Sequence, residues 1–299
     1  MYNKENYYFV WLSSINIKPV TKVKLLEQFK TPKIIFESTK EELEKNLDCE
    51  KLKINIKNKE LLIEKIIDKK VKENVTKNIE KMNQLGIGII TYLDEEYPQN
   101  LKDIYDFPIC LYFIGNKKIL QNNKKIAMIG CREYSMYGKN TALMFSEQLA
   151  KNNFTIVSGC ARGIDSFAHT GTLKYKEKTI AVLGNSIEYV YPPENKILEE
   201  KIIKSGGLIL SEYIIGTKPS KYTFPARNRI ISALSDGVLV IEAKEKSGTI
   251  ITVDFALEQG KNIYAVPGNI TSKNSEGTND LIKNGAKIIT KIDDILEDF

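Results

Sequence analysis

The chain has 299 residues, of which 42% are hydrophobic and 27% are charged, a composition typical of a globular protein with a large buried core. Its apolar runs have the length of strands rather than of membrane-spanning helices, and the N-terminus has no convincing signal peptide, so we expect a cytoplasmic protein without a membrane partner. The formal net charge of +6 is divided evenly between residues 1–123 and the remainder, which permits a nucleic-acid partner without indicating one.

Cysteine and histidine are too few and too scattered to form a zinc site. We therefore predict reduced thiols, no bound metal and no cofactor. Asp165 and His169 lie four residues apart on one predicted helix face, where they form either a general acid–base pair or a surface hydrogen bond. The cysteines are Cys49, Cys110, Cys131 and Cys160.

Residues 1–82 are predicted to form a bundle of short helices. VTKVKLLEQF, TKEELEKNL and NKELLIEKIIDKK space Leu and Ile three and four residues apart between charges. Thr39 followed by Glu42 is the pattern of a capping box. The Asn- and Lys-rich stretch at 51–59 is typical of a connection, and a long coil over 51–80 is the alternative. Residues 83–116, with two short β-rich runs, are predicted to link this region to the next domain.

From residue 117 to 299 the chain alternates between strands and helices. Runs such as KKIAMIG, FTIVSG, TIAVLG and LILSEY are continuous in aliphatic residues, and amphipathic segments separate them. This pattern predicts an α/β fold, an extended Rossmann-like domain with a mostly parallel sheet covered on both faces, preceded by the small N-terminal helical domain.

Ligands of such sheets bind beyond the carboxyl ends of the strands, so the strand-to-helix junctions are the candidate site. Several junctions contain glycine and lead into a helix N-terminus, where free N–H groups suit a phosphate. Packing alone also explains any single glycine junction. The junctions include IGCREYSMYG, SGCARGID, LSEYIIGTKPSKYTFPARNR and EAKEKSGTIIT.

Arginine is confined to these junctions. The chain has 44 basic residues but only four arginines, Arg132, Arg162, Arg227 and Arg229. Arginine binds phosphate in a bidentate manner and stacks on bases, which lysine does not do. We expect Arg132 and Arg227 to contact the ligand. Arg162 and Arg229 either do so or support the loops through salt bridges to Asp165, Glu212 or Glu242.

The junction LSEYIIGTKPSKYTFPARNR adds aromatic groups to the basic ones. Lys221, Tyr222 and Phe224 stand just before the helix that is predicted to start at Pro225 and to carry Asn228. Base stacking with backbone charge contacts is how single-stranded nucleic acid is bound. Packing of Phe224 into the core is the alternative. SGT at 247–249 offers small hydroxyl and glycine donors, or ordinary helix capping.

Three common nucleotide and hydrolase motifs are missing. The first junction is not GxGxxG with a following acidic ribose partner, so NAD binding is poorly supported. Neither a P-loop GxxxxGK[ST] nor a GxSxG nucleophile elbow is present.

The series IGCR, SGCARGIDSFAH, TIAVLGNSIEYVYPPEN, GGLILSEY, FPARNRIIS, DGVLVIEAKEKSGTIITVDFALEQG and SEGTNDLIKNGA resembles the bacterial DNA-processing protein A family (DprA, also called Smf) over about residues 105–290. The resemblance implies a non-enzymatic cytoplasmic protein that binds single-stranded DNA, forms homodimers and helps to load the RecA recombinase during natural transformation. It also implies that residues 1–82 form that family's small helical (SAM-like) domain.

Matched motif by motif, the resemblance places Arg132, Lys221, Phe224, Arg227 and Asn228 in a DNA groove, and Ile282 and Ile288 at a dimer surface, with core packing as the alternative for both isoleucines. Together with the junction residues, the predicted DNA- and phosphate-binding set is Gly130, Arg132, Ser158, Gly159, Arg162, Gly163, Lys221, Phe224, Arg227, Asn228, Arg229, Ser247, Gly248 and Thr249.

Some features depart from the family pattern. Cys131 replaces a small hydroxyl residue, which puts a phosphate hydrogen bond from that side chain in doubt. The N-terminal region lacks the glycine hairpin of a duplex-binding helix-hairpin-helix, and we expect no winged-helix tail. An alternative function is that of a nucleotide-binding or nucleoside-phosphate-hydrolysing protein, but EAKEKSGTIIT stands where such hydrolases have a PGGxGT loop with a catalytic glutamate. A sensor of a small nucleotide is a third hypothesis.

Overall fold

The computed structural model describes residues 4–299 and divides the chain into two compact units. The first comprises the described residues up to Tyr112 together with Tyr213–Gly216, and the second comprises Phe113–Glu212 and Thr217–Phe299. No helix among residues 4–299 combines the length and the hydropathy that crossing a membrane requires.

Short helices build the first unit around an aromatic and aliphatic core. Trp11, Leu25, Ile35 and Ile63 are buried there. The end of α1 is buried all round, whereas α6 places its apolar residues on one face. The elements are α1 (Lys4–Ser14), α2 (Pro19–Phe29), α3 (Pro32–Glu37), α4 (Lys40–Asn46), α5 (Cys49–Leu52), α6 (Ile56–Ile67), α7 (Lys69–Gln84), β1 (Gly88–Thr91) and α8 (Gln99–Lys102), and β2 (Cys110–Gly115) follows.

The capping box predicted at the start of α4 is confirmed. Thr39 Oγ1 accepts from the backbone N–H of Glu42, and the Glu42 carboxylate accepts from the backbone N–H of Thr39. The expectation of a connection over 51–59 is wrong at both ends, because α5 ends at Leu52 and α6 begins at Ile56. Asp48 and Asn55 cap these two helices through their side chains, which makes short helices possible in a polar stretch.

The second unit is an α/β domain with a parallel sheet. Its strands pair in the order β6-β5-β4-β3-β7-β8-β9, and all six pairings are parallel, which confirms the predicted fold class. The strands are β3 (Lys125–Ile129), β4 (Thr155–Ser158), β5 (Thr179–Leu183), β6 (Leu208–Ser211), β7 (Gly237–Val240), β8 (Asn262–Ala265) and β9 (Lys287–Ile288).

Helices cover the sheet, and short 3₁₀ helices occur at Lys117–Gln121, Pro193–Asn195 and Lys273–Ser275. The order of the strands reverses around β3, which has β4 on one side and β7 on the other, and a crevice opens at such a point beyond the carboxyl ends. The helices are α9 (Met136–Lys151), α10 (Ile164–Thr172), α11 (Lys196–Lys204), α12 (Thr223–Ala233), α13 (Gly248–Glu258), α14 (Glu276–Lys283) and α15 (Asp293–Leu296).

Candidate nucleic-acid interface

A cavity of about 500 Å³ lies at this crevice of the second unit. It is bounded by the turn after β3, by the first turns of α12 and by the loop between β7 and α13. Of the predicted residues, those that line it are Gly130, Arg132, Lys221, Phe224, Arg227, Asn228, Ser247, Gly248 and Thr249. Predicted residues that are more than a hundred positions apart in the sequence therefore line one cavity.

Two glycines allow the turns after β3 and β4 to pack directly on each other. Gly163 has φ +80°, and a Cβ atom there would lie 2.3 Å from the Cys131 carbonyl oxygen. A Cβ on Gly130 would lie 2.7 Å from the Ile164 side chain. The Ile164 N–H donates to the Cys131 carbonyl at 3.2 Å, so the two turns form one rigid wall.

Arg132 is the exposed arginine of this wall. Its guanidinium carbon lies 5.8 Å from the centre of the Phe224 ring, within the range of a cation–π contact. Within residues 4–299 it has no carboxylate partner. A cation held on an aromatic ring and engaged in no salt bridge suits a phosphate or a stacked base.

Phe224 is half-buried rather than part of the core. Its ring lies 5.2 Å from that of Tyr191, tilted by 31°. Gly184 leaves room for it, because a Cβ there would lie 2.7 Å from a ring carbon of Phe224. Since α12 begins at Thr223, two residues before the Pro225 start predicted from the sequence, Phe224 lies in the first helical turn and lines the cavity.

Arg227 is buried, with only 4% of its surface exposed. Its Nη1 donates to the carbonyl of Gly159 at 2.7 Å and also to that of Val182, and its Nε donates to the Asn228 side chain at 3.2 Å. The side chain therefore joins the ends of β4 and β5, and part of it lines the cavity. Gly159 has no room for a Cβ, which would lie 2.4 Å from this guanidinium.

Arg229 supports the loop after β6 through a salt bridge, which was the alternative to a ligand contact. It is 3% exposed, and its two terminal nitrogens donate to the Glu212 carboxylate at 2.9 and 2.7 Å. Arg162 is exposed and pairs with Glu194, with Nη2 at 3.2 Å from Oε2. This hydrogen bond is the main reason why the pKa of Glu194 is lowered.

Ser158, Gly163 and Arg229 do not line the cavity. Ser158 is fully buried, and its hydroxyl donates to the Met128 carbonyl at 2.7 Å, which fastens β4 to β3. Gly159 and Arg162 lie with Tyr191 and Phe224 on a smaller adjoining pocket. The structure thus separates residues that line the cavity from residues that hold its walls.

His169 does not line the cavity, and the alternative of a surface hydrogen bond with Asp165 is wrong. The imidazole is fully buried, its Nδ1 lies 2.6 Å from the Thr179 hydroxyl, and burial lowers its pKa to about 3. Asp165 instead accepts from the backbone N–H groups of Gly159 at 3.2 Å and Ala161 at 3.4 Å. Burial raises the pKa of Asp165, and Arg227 opposes that shift.

The loop between β7 and α13 presents a helix N-terminus to the cavity. Ser247 is the N-cap residue, but its side chain makes no capping hydrogen bond, so the alternative of ordinary capping is wrong. Lys244 lines the same wall and lies 2.6 Å from Glu133. Glu242 is buried and accepts from the Ser135 backbone N–H at 3.0 Å and from its hydroxyl, so it anchors the start of α9.

Sequence reasoning missed an aromatic extension of the first turn. Tyr134 is exposed, its ring lies 4.7 Å from that of Phe167, and the Lys139 amine lies 5.5 Å from the Phe167 ring centre. The signal was present in IGCREYSMYG, where a tyrosine follows Arg132 by two residues, but only the fold shows that Phe167 lies beneath it.

The two residues predicted at a dimer surface lie near the end of the sheet. Ile288 is in β9, the last strand of the order, and is 47% exposed. Ile282 is in α14 and is half-buried. Core packing therefore does not account for Ile288.

The family model for DNA recombination-mediator protein A matches residues 88–299, a range that contains all the cavity residues. The chain belongs to this family. Among curated relatives, the DNA processing protein DprA of Bacillus subtilis is 41% identical over 213 residues, which are 71% of each chain. DprA of Streptococcus pneumoniae is 43% identical over 207 residues, which are 69% of this chain and 72% of the relative.

Solved structures of the family resemble the chain over different extents. The crystal structure of DprA from Streptococcus pneumoniae superposes with a TM-score of 0.83 at 34% identity and covers 100% of this chain and 99% of that one. A structure of DprA from Helicobacter pylori, described for its single-stranded DNA binding mode, has a TM-score of 0.64 at 35% identity, covering 71% and 97%. The first likeness extends over both units.

Proposed function

We propose that this chain is a single-stranded DNA-binding recombination mediator without catalytic activity, and that its DNA lies in the cavity beyond the carboxyl ends of β3 and β7. The observation that carries the proposal is the exposed guanidinium of Arg132 on the ring of Phe224, in a cavity that Lys221 also lines. Aromatic and cationic groups at one surface bind bases by stacking and the backbone by charge. The single-stranded DNA binding described for the Helicobacter pylori relative supports it.

Each wall would have its own task. Arg132 and Lys221 would neutralise phosphates, Phe224 would stack a base, and the N-terminus of α13 would donate backbone N–H groups to a further phosphate. Arg227 and Asp165 would fix the turn after β4. For Arg227, a direct phosphate contact stays a prediction.

The proposal is tested by measuring the affinity of the chain for an unstructured oligodeoxynucleotide and for a blunt duplex of the same length. We expect clearly tighter binding of the single strand, because stacking on Phe224 needs bases that are not paired within a duplex. Arg132→Ala should weaken single-strand binding and reduce the salt dependence by about one phosphate. Lys174→Ala is the matched control, since this exposed lysine lies after the last residue of α10, pairs with Glu147 and does not line the cavity. Equal affinity for both forms of DNA contradicts the proposal.

We also propose that the DNA-bound chain helps to load RecA, as in natural transformation. The family description as a recombination mediator supports this role. In a strand-exchange assay, catalytic amounts of the chain should shorten the lag before RecA acts on a strand covered by single-strand-binding protein, and Arg132→Ala should restore the lag. An unchanged lag with the wild-type chain contradicts RecA loading but leaves DNA binding intact.

Homodimerisation through β9 and α14 completes the proposal. A strand at the edge of a sheet with an exposed isoleucine, Ile288, is a surface that a second copy can cover. Two copies would present two DNA cavities, which raises the avidity for a long strand.

A further inference from the structure

The first unit contains a groove of about 1160 Å³ between α2 and α6. We call it the α2–α6 groove. Its volume exceeds that of ordinary small-molecule sites and is sufficient for a peptide segment. The turn after α1, the end of α5 and Tyr105 complete its walls.

The charge of the α2–α6 groove differs from that of the unit around it. Residues 1–112 contain 19 lysines and 18 acidic residues, so the unit is close to neutral. The groove is lined by five lysines and a single acidic residue, Glu27. Generic lysine decoration of the surface does not produce this segregation, since acidic residues are equally frequent in the unit. The five lysines are Lys18, Lys24, Lys51, Lys53 and Lys65.

Most of these lysines are available to a ligand. Among residues 4–299, the structure shows no carboxylate paired with Lys18, Lys24, Lys51 or Lys53. Lys65 alone is engaged, through a hydrogen bond of 2.9 Å to the Asn16 carbonyl. Four unpaired ammonium groups around one groove attract an anionic partner.

The floor of the groove is aliphatic. Val20 and Ile54 are half-buried and Leu61 is exposed, above the buried Val23 and Leu62. Tyr105 is 72% exposed at the rim. A partner that fills this groove must therefore bring apolar side chains as well as negative charge, because a purely ionic ligand would leave the floor in contact with water.

The chemistry favours a peptide over a nucleic acid. The groove has no arginine and one aromatic ring, whereas base stacking and bidentate phosphate contacts need both of these groups. The second unit places Arg132 on Phe224 for that purpose. We propose that the α2–α6 groove is a docking site for an acidic protein segment in which Asp or Glu alternates with aliphatic or aromatic residues.

The test uses the full chain and a fluorescein-labelled nine-residue peptide that alternates Asp with Leu and Phe. We expect saturable binding by fluorescence anisotropy, weakened by added salt. Two matched peptides define the chemistry: Asn in place of Asp, and Ser in place of Leu and Phe. Each should bind about tenfold or more weakly than the parent peptide.

Charge reversal locates the site. The double variant K24E/K53E should lose about tenfold or more in peptide affinity, because like charges would then face each other. K33E/K40E makes the same change of net charge on α3 and α4, where both lysines pair with glutamates outside the groove, and should bind the peptide as the wild type does. Both double variants should keep the wild-type affinity for single-stranded DNA.

The proposal is overturned if the acidic peptide shows no saturable binding at low salt, or if either matched peptide binds as tightly as the parent peptide. It is also overturned if K24E/K53E and K33E/K40E lose peptide affinity equally. A fourth contrary result is displacement of the peptide by an oligodeoxynucleotide in an Arg132→Ala background. The last result assigns the groove to nucleic acid. None of the four bears on DNA binding by the second unit, which is measured with Arg132→Ala alone.

Discussion

The arginines of this chain perform different tasks although they share one region of the sequence. Their confinement to the junctions could be read from the sequence, and so could the alternative that Arg229 supports its loop through a carboxylate, but the sequence did not single out Glu212 as the partner. The burial of Arg227 could not, because it depends on where α12 begins and on the carbonyls of Gly159 and Val182, which are distant in the chain. The direction in which a side chain of a helix points depends on how the helix packs in three dimensions, and the amino-acid composition does not determine it.

Arg229→Ala should lower the unfolding free energy by about 3–5 kcal/mol, because it leaves the Glu212 carboxylate buried without its partner. Urea unfolding measures the change. Arg162→Ala removes an exposed ion pair and should leave the unfolding midpoint nearly unchanged. The double variant R229M/E212L should recover much of the loss. A loss for Arg229→Ala no larger than that for Arg162→Ala would show that the buried pair does not stabilise the fold.

Glu199 in α11 should make stability depend on pH. Burial raises its pKa from 4.5 to about 7. The unfolded chain loses the proton first, so between about pH 4.5 and 7 the folded state holds more protons, and the unfolding free energy falls as pH rises. Glu199→Gln mimics the protonated form and should be more stable than the wild type at pH 8 by on the order of 3 kcal/mol, with little difference at pH 4. The exposed Glu200→Gln is the control, and a pH-independent effect of Glu199→Gln refutes this interpretation.

At the scale of elements, strand and helix order was predictable because buried parallel strands appear as continuous aliphatic runs. The short helix α5 and the first turn of α6 were harder to predict, since they depend on the caps Asp48 and Asn55 in a stretch rich in Asn and Lys. The cavity walls depend on contacts between turns. Glycine spacing showed where turns occur, but not that Gly163 faces the carbonyl of Cys131.

Gly163→Ala should weaken DNA binding without removing any charge. The new methyl group meets the Cys131 and Arg132 carbonyl oxygens and must displace the turn that holds Arg132, at a cost of about 3 kcal/mol in stability. Gly260→Ala is the matched control, because Gly260 also has a positive φ, +66°, but nothing within 4 Å of the new Cβ. Equal single-strand affinities for the two variants would show that the packed turns do not position Arg132.

At the scale of the whole molecule, the first compact unit ends at Tyr112 and also includes the short segment Tyr213–Gly216. The predicted boundaries at residues 82 and 116 stay a prediction. The amino-acid composition of Tyr213–Gly216 does not indicate that these residues belong to the first unit. The sequence also does not predict which aliphatic residues are exposed. Ile288 and Ile289 are adjacent in the same aliphatic run, yet Ile289 is buried and Ile288 is exposed on β9.

Ile288→Asp should convert the proposed dimer to a monomer, because an aspartate at the sheet edge would oppose its symmetry-related copy. Light scattering coupled to size-exclusion chromatography gives the mass in solution. Ile197→Asp makes the same change at an exposed isoleucine of α11 and should leave the mass unaltered. A wild-type chain that is monomeric at micromolar concentration contradicts the proposed dimer surface.

The most direct measurement of where DNA lies is photo-crosslinking of a single-stranded oligodeoxynucleotide that contains 5-iodouracil, followed by mass spectrometry of the cross-linked peptides. We expect cross-links at Phe224, which lines the cavity, or at Tyr191, which lies beside it on the smaller adjoining pocket, since iodouracil reacts with stacked aromatic groups. Cross-links confined to the first unit, or to the end of the sheet away from Arg132, would contradict the assignment of this cavity to DNA.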